Sequence, residues 1–327
     1  MATSMYGMGA IRARAVERPC HRALVGSFLA RLIGALALTA ASVEAHAQDL
    51  EPRAYANTPV GLNFLLGGYA YQQGTVGADA SVPLKGTEAK LHSLVLAYVR
   101  TLDVWGRSGK FDVILPYAWA SGSGTLAGQP RERDVSGLGD PRLRFSVLLY
   151  GGPALSLAEF RDYKSDVIVG ASLDVSLPLG QYDSDKLLNI GTNRWSFKPE
   201  VGISKTLGPL TLELDAGVRF YTDNTDFLGG KTLQLSPLYS VQGHLIYSFA
   251  NGIWVGVDGI YYTGGRPTVD GKESDGLQTA VVGLTLTLPV NRYNSIKLYG
   301  NTAVYTKTGA DFSTVGIAWQ FLWGGGL

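Results

Sequence analysis

The sequence predicts an all-β fold, a transmembrane antiparallel up-and-down β-barrel of about twelve strands. Apolar and polar side chains alternate through successive runs of strand length, most clearly between residues 167 and 219. A period of two places the two sets on opposite faces of each strand. The final run repeats this pattern with aromatic residues, because Trp319, Phe321 and Trp323 share one face and Gln320 faces the other way. Glycine is abundant, at 42 residues, which suits many strands joined by turns.

Twelve runs are long enough to be strands of such a barrel. Each has about 9 to 15 residues, and a tilted strand needs about 9 to 11 residues to cross a bilayer. An even number is expected for a single-chain bacterial barrel. Alternation is blurred in the second run, where Leu94, Val95, Leu96 and Ala97 follow one another. The predicted strands are 62–73, 91–102, 110–120, 141–150, 166–178, 194–207, 210–222, 233–249, 252–262, 277–289, 295–305 and 312–323.

The connections between these runs agree with one orientation of the barrel. Bacterial barrels pair short periplasmic turns with longer outer loops. If both chain termini are periplasmic, the short connections 103–109, 208–209 and 290–294 are periplasmic turns. The longer outer loops are then 74–90, 121–140, 179–193, 223–232, 263–276 and 306–311. Residues 151–165 form a long connection on the periplasmic side, where we expect a short helix or a missed pair of strands.

Residues 1–47 are predicted to be a secretory signal peptide. Four arginines between residues 12 and 22 precede an apolar run at 32–41. The triplet Ala45-His46-Ala47 that follows has the small-residue pattern of a signal-peptidase site. A membrane anchor is the alternative, and it is disfavoured because the apolar run is too short to span a bilayer.

Cleavage after Ala47 would divide the mature chain into two parts. Residues 48–61 are predicted to be an N-terminal periplasmic or plug segment, and residues 62–327 the outer-membrane β-barrel. Asp49, Glu51 and Arg53 make the first part polar enough to enter a polar lumen.

Charge and cysteine content exclude several classes of protein. Removing residues 1–47 takes away five of the 28 basic residues and two of the 27 acidic residues, which leaves 23 and 25. This balance argues against nucleic acid as a partner. The single cysteine, Cys20, leaves with the signal, so disulfides, Cys-ligated metals and a nucleophilic thiol are not expected. We expect no cofactor and no bound metal ion.

Alternation by itself allows two environments for the apolar faces. In a soluble β-sandwich they would meet in a shared core, with the charged faces in water. The predicted signal peptide, the even strand count and the aromatic strand ends favour a barrel with apolar residues toward lipid. We therefore expect the protein in the outer membrane of a Gram-negative cell, with outer-membrane lipid and the outer-membrane assembly machinery as partners.

Six short segments of the mature chain form a recognisable set. They are DLEPRAY at 49–55, PVGLNF at 59–64, GLGDP at 137–141, LPLGQYD at 177–183, NIGTNRW at 189–195 and FKP at 197–199. Together they resemble an outer-membrane family of transporters of the meta pathway of phenol degradation. The resemblance covers nearly all of the mature chain. It implies a barrel that takes up small hydrophobic or aromatic solutes, and it supplies no established binding residues.

Charged residues on the predicted lumen face are the candidate selectivity residues. They can form satisfied ion pairs that fill the barrel, because an unpaired charge away from water is costly. They can instead line a polar path whose charges tune selectivity. The candidates are Asp174, Arg194, Lys198, Glu200, Glu213, Asp215 and Arg219.

A second set of candidates is apolar and lies in the predicted outer loops. Such residues can pack the loops together, or they can form a mouth that captures an apolar solute. The set is Leu187, Leu188, Ile190, Phe227 and Leu228.

Three functions follow from these patterns. The first is a channel that passively admits small hydrophobic or aromatic compounds, without cofactor or energy source. The second is a structural or closed barrel without transport. The third, a membrane lipid hydrolase, is the least supported, because it needs a serine within reach of His92 or His244. Neighbouring residues of a strand, such as His92 and Ser93, point to opposite faces.

Overall fold

The computed structural model describes residues 50–76, 84–126, 129–186 and 188–327. The predicted signal peptide, residues 1–47, lies outside these ranges. Seventeen strands are present in the described residues. They are β1 Leu62–Val76, β2 Leu84–Val104, β3 Arg107–Leu126, β4 Gln129–Leu138, β5 Arg142–Tyr150, β6 Val167–Ser176, β7 Ser196–Leu207, β8 Leu210–Tyr221, β9 Asn224–Phe227, β10 Lys231–Leu235, β11 Leu238–Ser248, β12 Trp254–Gly264, β13 Pro267–Val269, β14 Lys272–Glu273, β15 Leu277–Pro289, β16 Asn294–Thr308 and β17 Ala310–Gly324.

Twelve of these strands form a closed antiparallel barrel, as the sequence predicts. The order around the wall is β1, β2, β3, β5, β6, β7, β8, β11, β12, β15, β16 and β17. The last strand pairs with the first along its length, from Leu62 opposite Gly324 to Val76 opposite Ala310. β4 and β5 both pair with β3, at residues 117–126 and 109–114 respectively, so together they form one interrupted strand. The end of the barrel at Leu62 is called here the terminal end, and the opposite end the loop end.

The predicted strand at 233–249 is wrong at its beginning. β11 starts at Leu238, and Ser236 and Pro237 separate it from β10. Proline has no N–H to donate to a β-ladder, so it interrupts pairing there. β10 instead joins β9, β13 and β14 in a second, four-stranded sheet built from two loops at the loop end.

The long connection 151–165 contains a short helix, one of the two expectations for it. The helix is a 3-10 turn, Glu159–Arg161, and it is the only helical element in the described residues. Ser156 donates to the Glu159 carboxylate from its hydroxyl at 2.7 Å and from its N–H at 2.9 Å. These hydrogen bonds lower the pKa of Glu159, because they favour the charged form. None of the described residues belongs to a helix with the length and apolarity needed to span a membrane.

The two faces of the barrel wall differ as expected for a membrane barrel. On β7, Lys198 and Glu200 are buried toward the lumen, whereas Phe197 and Val201 are exposed on the outside. A continuous band of exposed leucine, valine and aromatic side chains would be unfavourable in water and suits contact with lipid. The aromatic side chains of β17 stack along this outer face, with ring centroids of Phe321 and Trp323 5.6 Å apart. The apolar faces therefore point outward and the polar faces inward.

Candidate functional site in the barrel lumen

A ladder of ion pairs covers the inner face of β5 to β8. Strand register places Arg144 opposite Asp174, and Asp174 opposite Lys198. Asp174 lies between two guanidinium groups, with Arg142 Nη2 at 2.8 Å and Arg219 Nη1 at 3.3 Å. These side chains point inward from neighbouring strands, so opposite charges meet across the ladder. The arrangement compensates the cost of removing each charge from water.

Glu200 continues the ladder toward the terminal end. Its carboxylate binds Arg144 at 3.2 Å and Lys198 at 2.9 Å. Glu213 accepts a hydrogen bond from the Ser204 hydroxyl at 3.3 Å. Cationic and anionic side chains thus alternate across these strands. Among the described residues they do not form a ring of like charges, which is the arrangement that selects one sign of ion.

Asp215 belongs to a neighbouring cluster around His244. The Nδ1 atom of His244 lies 2.7 Å from Asp258, and its Nε2 atom lies 3.9 Å from Asp215. Thr285 donates to the second oxygen of Asp258 at 2.7 Å. The imidazole is thus held between two carboxylates.

Arg194 is the lumen candidate that lies apart from these clusters. It is buried just before β7 at the loop end, with its guanidinium carbon 5.2 Å from the centre of the Tyr221 ring. The structure therefore brings together six of the seven predicted lumen residues. Their role in selectivity stays a prediction.

Tyr55 is the main lumen residue that sequence reasoning missed. Only 2% of it is exposed, and its hydroxyl lies 3.0 Å from Ser172 Oγ and 3.2 Å from Glu200 Oε1. The ring lies against Gly170 and Gly202, which are register partners on β6 and β7. A Cβ on either glycine would overlap the ring. Two inward glycines in otherwise alternating strands were the available signal, because such positions often mark a close approach.

Further contacts hold residues 50–61 inside the terminal end. The N–H of Arg53 donates to Glu213 at 2.7 Å, and its guanidinium lies 4.8 Å from the Trp254 ring centre. Glu51 forms an ion pair with Arg144. Glu51 and Arg53, two of the three polar residues predicted for this segment, thus contact lumen side chains, and Asp49 lies outside the described residues.

At the loop end, Asp140 anchors the connection between β6 and β7. One carboxylate oxygen accepts the N–H of Gly180 at 2.9 Å. The other accepts from Thr192, at 2.8 Å from its N–H and 2.6 Å from its hydroxyl. Three segments that carry the family resemblance, 137–141, 177–183 and 189–195, therefore meet at one buried carboxylate. We call residues 179–193 the mouth loop.

Tyr182 fastens the mouth loop to the next loop along the chain. Its hydroxyl donates to the Asp226 carbonyl at 3.1 Å and accepts from the Asn224 amide at 2.8 Å. Partial burial raises the pKa of Tyr182, which keeps the hydroxyl protonated as a donor.

The predicted capture residues fall into two separate apolar clusters. Ile190, on the mouth loop, packs with Leu188 against Leu91, Ala118 and Ala120 of the inner wall. Phe227 packs with Leu228 in the second sheet, against Leu233 and Val269. Leu187 lies outside the described residues. Ile190 and Phe227 are both buried, as expected for residues that pack the loops, and capture of a solute by this set stays a prediction.

The histidines of the hydrolase hypothesis have other partners. His92 faces outward, and its Nδ1 lies 2.7 Å from the Tyr69 hydroxyl. His244 contacts carboxylates, as described above. Across residues 50–327, apart from the gaps at 77–83, 127–128 and 187, no three histidine, cysteine or acidic side chains lie close enough to hold a metal ion.

Residues 60–320 match a family model described as "Putative MetA-pathway of phenol degradation". The match confirms the resemblance carried by the six sequence segments. No curated protein matches the chain.

Several solved structures are similar in fold. The COG4313 outer membrane channel from Pseudomonas putida F1 is 20% identical, covers 84% of this chain and 100% of its own, and has a TM-score of 0.73. The transport unit of the autotransporter AIDA-I from Escherichia coli is 7% identical, covers 85% and 95%, and has a TM-score of 0.51. At these identities the likeness concerns the barrel fold.

Proposed function

The chain belongs to this phenol-degradation family, and we propose that it is an outer-membrane channel that passively admits small hydrophobic or aromatic compounds. The observation that carries the proposal is a closed barrel with apolar side chains toward lipid and polar side chains toward the lumen, which residues 50–61 enter at one end and the mouth loop at the other. The signal peptide at 1–47 would direct export, and the assembly machinery would insert the barrel with its terminal end toward the periplasm. Passage down a gradient needs neither cofactor nor energy source.

Residues 48–61 would act as a plug at the terminal end. The Tyr55 ring lies against Gly170 and Gly202, and its hydroxyl hydrogen-bonds to Glu200 of the ion-pair ladder. Release of the segment would leave Arg144 and Glu213 facing open lumen. Passage would then depend on how often the segment leaves its site.

The paired charges argue against a pore for one sign of ion. Asp174 and Glu200 each bind two cationic side chains, so a permeating ion would compete with existing pairs. An uncharged solute does not disturb these pairs. This difference favours apolar over ionic substrates.

The test is uptake of radiolabelled toluene and naphthalene by cells with and without the protein. We expect faster initial uptake in cells that carry it, and the same uptake of glucose in both strains. Equal aromatic uptake in the two strains, with the barrel present in the outer-membrane fraction, would rule out the proposal.

The lumen ion pairs also favour a second candidate, a closed structural barrel. In that case the pairs and residues 48–61 would seal the lumen permanently. Planar-bilayer recordings distinguish the two candidates. A channel opens when Tyr55 is removed by Tyr55→Ala, whereas a sealed structural barrel shows no conductance with or without Tyr55.

A further inference from the structure

The inner face of the barrel carries apolar patches as well as the ion pairs. One patch is the buried cluster on β11, β12 and β15, against which Leu50 packs. The other lies on β1, β2 and the middle of β3. Ala70 and Ser93 are buried toward the lumen, while their neighbours Tyr69 and Leu94 are 39% and 45% exposed on the outside. Even-numbered residues of β1 and odd-numbered residues of β2 therefore point inward.

Strand register joins these inward side chains into one patch. Leu66 on β1 lies opposite Ala97 on β2, and Ala97 lies opposite Ile114 on β3. On the other side, Gly68 of β1 lies opposite Ala318 of β17. Paired residues of an antiparallel sheet share a face, so these side chains form one surface. Polar register partners border it, with Arg142 beside Ile114, Asp112 beside Val99, Gln320 beside Leu66 and Lys297 beside Ala318.

This patch is less covered than the ion pairs. Asp174 is only 3% and Asp215 only 2% exposed. Leu66, Ala97 and Ile114 point inward and yet remain partly exposed. Water against such a surface is unfavourable, and an apolar molecule that replaces it gains free energy in proportion to the area covered.

The two ends of the lumen limit what can reach this surface. At the terminal end, residues 50–61 fill the entrance, and the Leu62 N–H is tied to the Thr101 hydroxyl at 2.9 Å. At the loop end, Ile190 of the mouth loop covers the inner wall at Ala118 and Ala120. A macromolecule is excluded by this enclosure, and a small molecule is not.

We propose that the inward surface formed by Leu66, Val95, Ala97, Val99, Ile114 and Ala318 is a binding site for a small uncharged apolar molecule. We call this surface the apolar wall. The proposal rests on the proposed channel function and deepens it, because it assigns the step between entry and exit to one side of the lumen. An ion would have to compete with the ion pairs beside the apolar wall, whereas an uncharged solute contacts the wall without disturbing them.

Cysteine labelling in outer-membrane vesicles tests the site directly. The sequence has one cysteine, Cys20, and it lies within the predicted signal, so an introduced thiol is the single target in the mature chain. Ala97→Cys places the thiol on the apolar wall, and Ala250→Cys places it in an exposed turn as the matched control. N-ethylmaleimide is the reagent and toluene the protecting probe.

We expect toluene at ten times its dissociation constant to slow labelling of Ala97→Cys about tenfold, by simple occupancy of the site. Labelling of Ala250→Cys should not change. Ala318→Cys, on the neighbouring strand, should be protected equally and serves if Ala97→Cys does not yield a heat-modifiable barrel. Ser204→Cys, which replaces a buried hydroxyl next to Glu213, should label slowly and without protection.

Two results would overturn the proposal. One is labelling of both wall variants that toluene leaves unchanged, and the other is equal protection of Ala250→Cys. Uptake measurements separate this outcome from failure of the channel function. Protection without protein-dependent uptake supports the site and refutes transport, whereas protein-dependent uptake without protection refutes the site alone.

Discussion

Replacing one glycine should loosen the N-terminal segment without touching the charged ladder. Gly170 faces the lumen, and the three atoms nearest to a Cβ built there all belong to the Tyr55 ring. Gly170→Ala therefore forces the ring away from its position on β6. The backbone of β6 needs no change, because Gly170 has an ordinary strand conformation.

The size of the effect follows from the packing of Tyr55. Burial of a tyrosine ring removes roughly 150–200 Å² from water and stabilises the bound segment by about 4–5 kcal/mol. Overpacking by one methyl group costs about 1–3 kcal/mol, which makes the released state about 5-fold to 150-fold more populated. Since the cost is smaller than the gain, the segment stays bound most of the time. Openings should become more frequent rather than permanent.

Single-channel recording in planar bilayers measures this frequency. Gly256→Ala is the matched control, because Gly256 lies on β12 and its nearest neighbours leave ordinary contact distances of 3.4 Å or more for a methyl group. We expect more frequent openings for Gly170→Ala and wild-type behaviour for Gly256→Ala. If both folded variants open as rarely as wild type, Tyr55 does not hold the plug.

Three further predictions concern the same assembly. Tyr55→Phe keeps the ring and removes its hydroxyl, so the loss of about 1–1.5 kcal/mol of hydrogen bonding should raise the opening frequency about tenfold. Asp140→Asn removes a charged acceptor of three hydrogen bonds. Trypsin added to intact cells should therefore cleave the protein faster at Lys186, which lies in the exposed part of the mouth loop. Asp174→Asn removes the carboxylate between two arginines, so the reversal potential in a salt gradient should shift toward anion selectivity.

Each of these variants has a control elsewhere in the chain. Asp275→Asn changes an exposed carboxylate in another loop at the loop end and should leave cleavage at Lys186 unchanged. Asp103→Asn changes a carboxylate in a turn at the terminal end and should leave the reversal potential unchanged. Asp140 is not the anchor if both loop variants are cut at the wild-type rate. An unchanged reversal potential for Asp174→Asn would show that the current does not pass the ladder.

The barrel could be predicted from local patterns because its determinants are local. Alternation places each side chain on one face, and turn residues separate the strands, so all twelve runs correspond to strands of the wall. The ion pairs needed strand register, which periodicity does not contain. Asp174 and Arg219 are 45 residues apart in sequence. They meet because their strands, β6 and β8, both pair with β7 and both side chains point into the lumen.

The contacts of residues 50–61 with the lumen were beyond local patterns for a related reason. Residues 50–61 form no helix or strand, so no periodicity in the sequence indicates the direction in which each side chain points. Tyr55 binds Ser172, which is 117 residues away. Ile190 and Phe227 are both apolar residues in predicted loops, so the sequence does not distinguish them. They belong to different clusters because the loop of Ile190 packs on the inner wall, whereas the loop of Phe227 forms part of the second sheet.

The blurred alternation of the second strand follows from the apolar side chains that this strand presents to the lumen. In Leu94, Val95, Leu96 and Ala97 the leucines face outward and the other two face the lumen. A strand of a polar lumen would alternate, whereas a strand whose two faces both meet apolar surroundings cannot. Loss of alternation in the second strand therefore coincides with an apolar patch on the lumen face. The run at 94–97 contributes Val95 and Ala97 to the apolar wall proposed above, whereas the alternating run at 167–219 contributes most of the ion pairs.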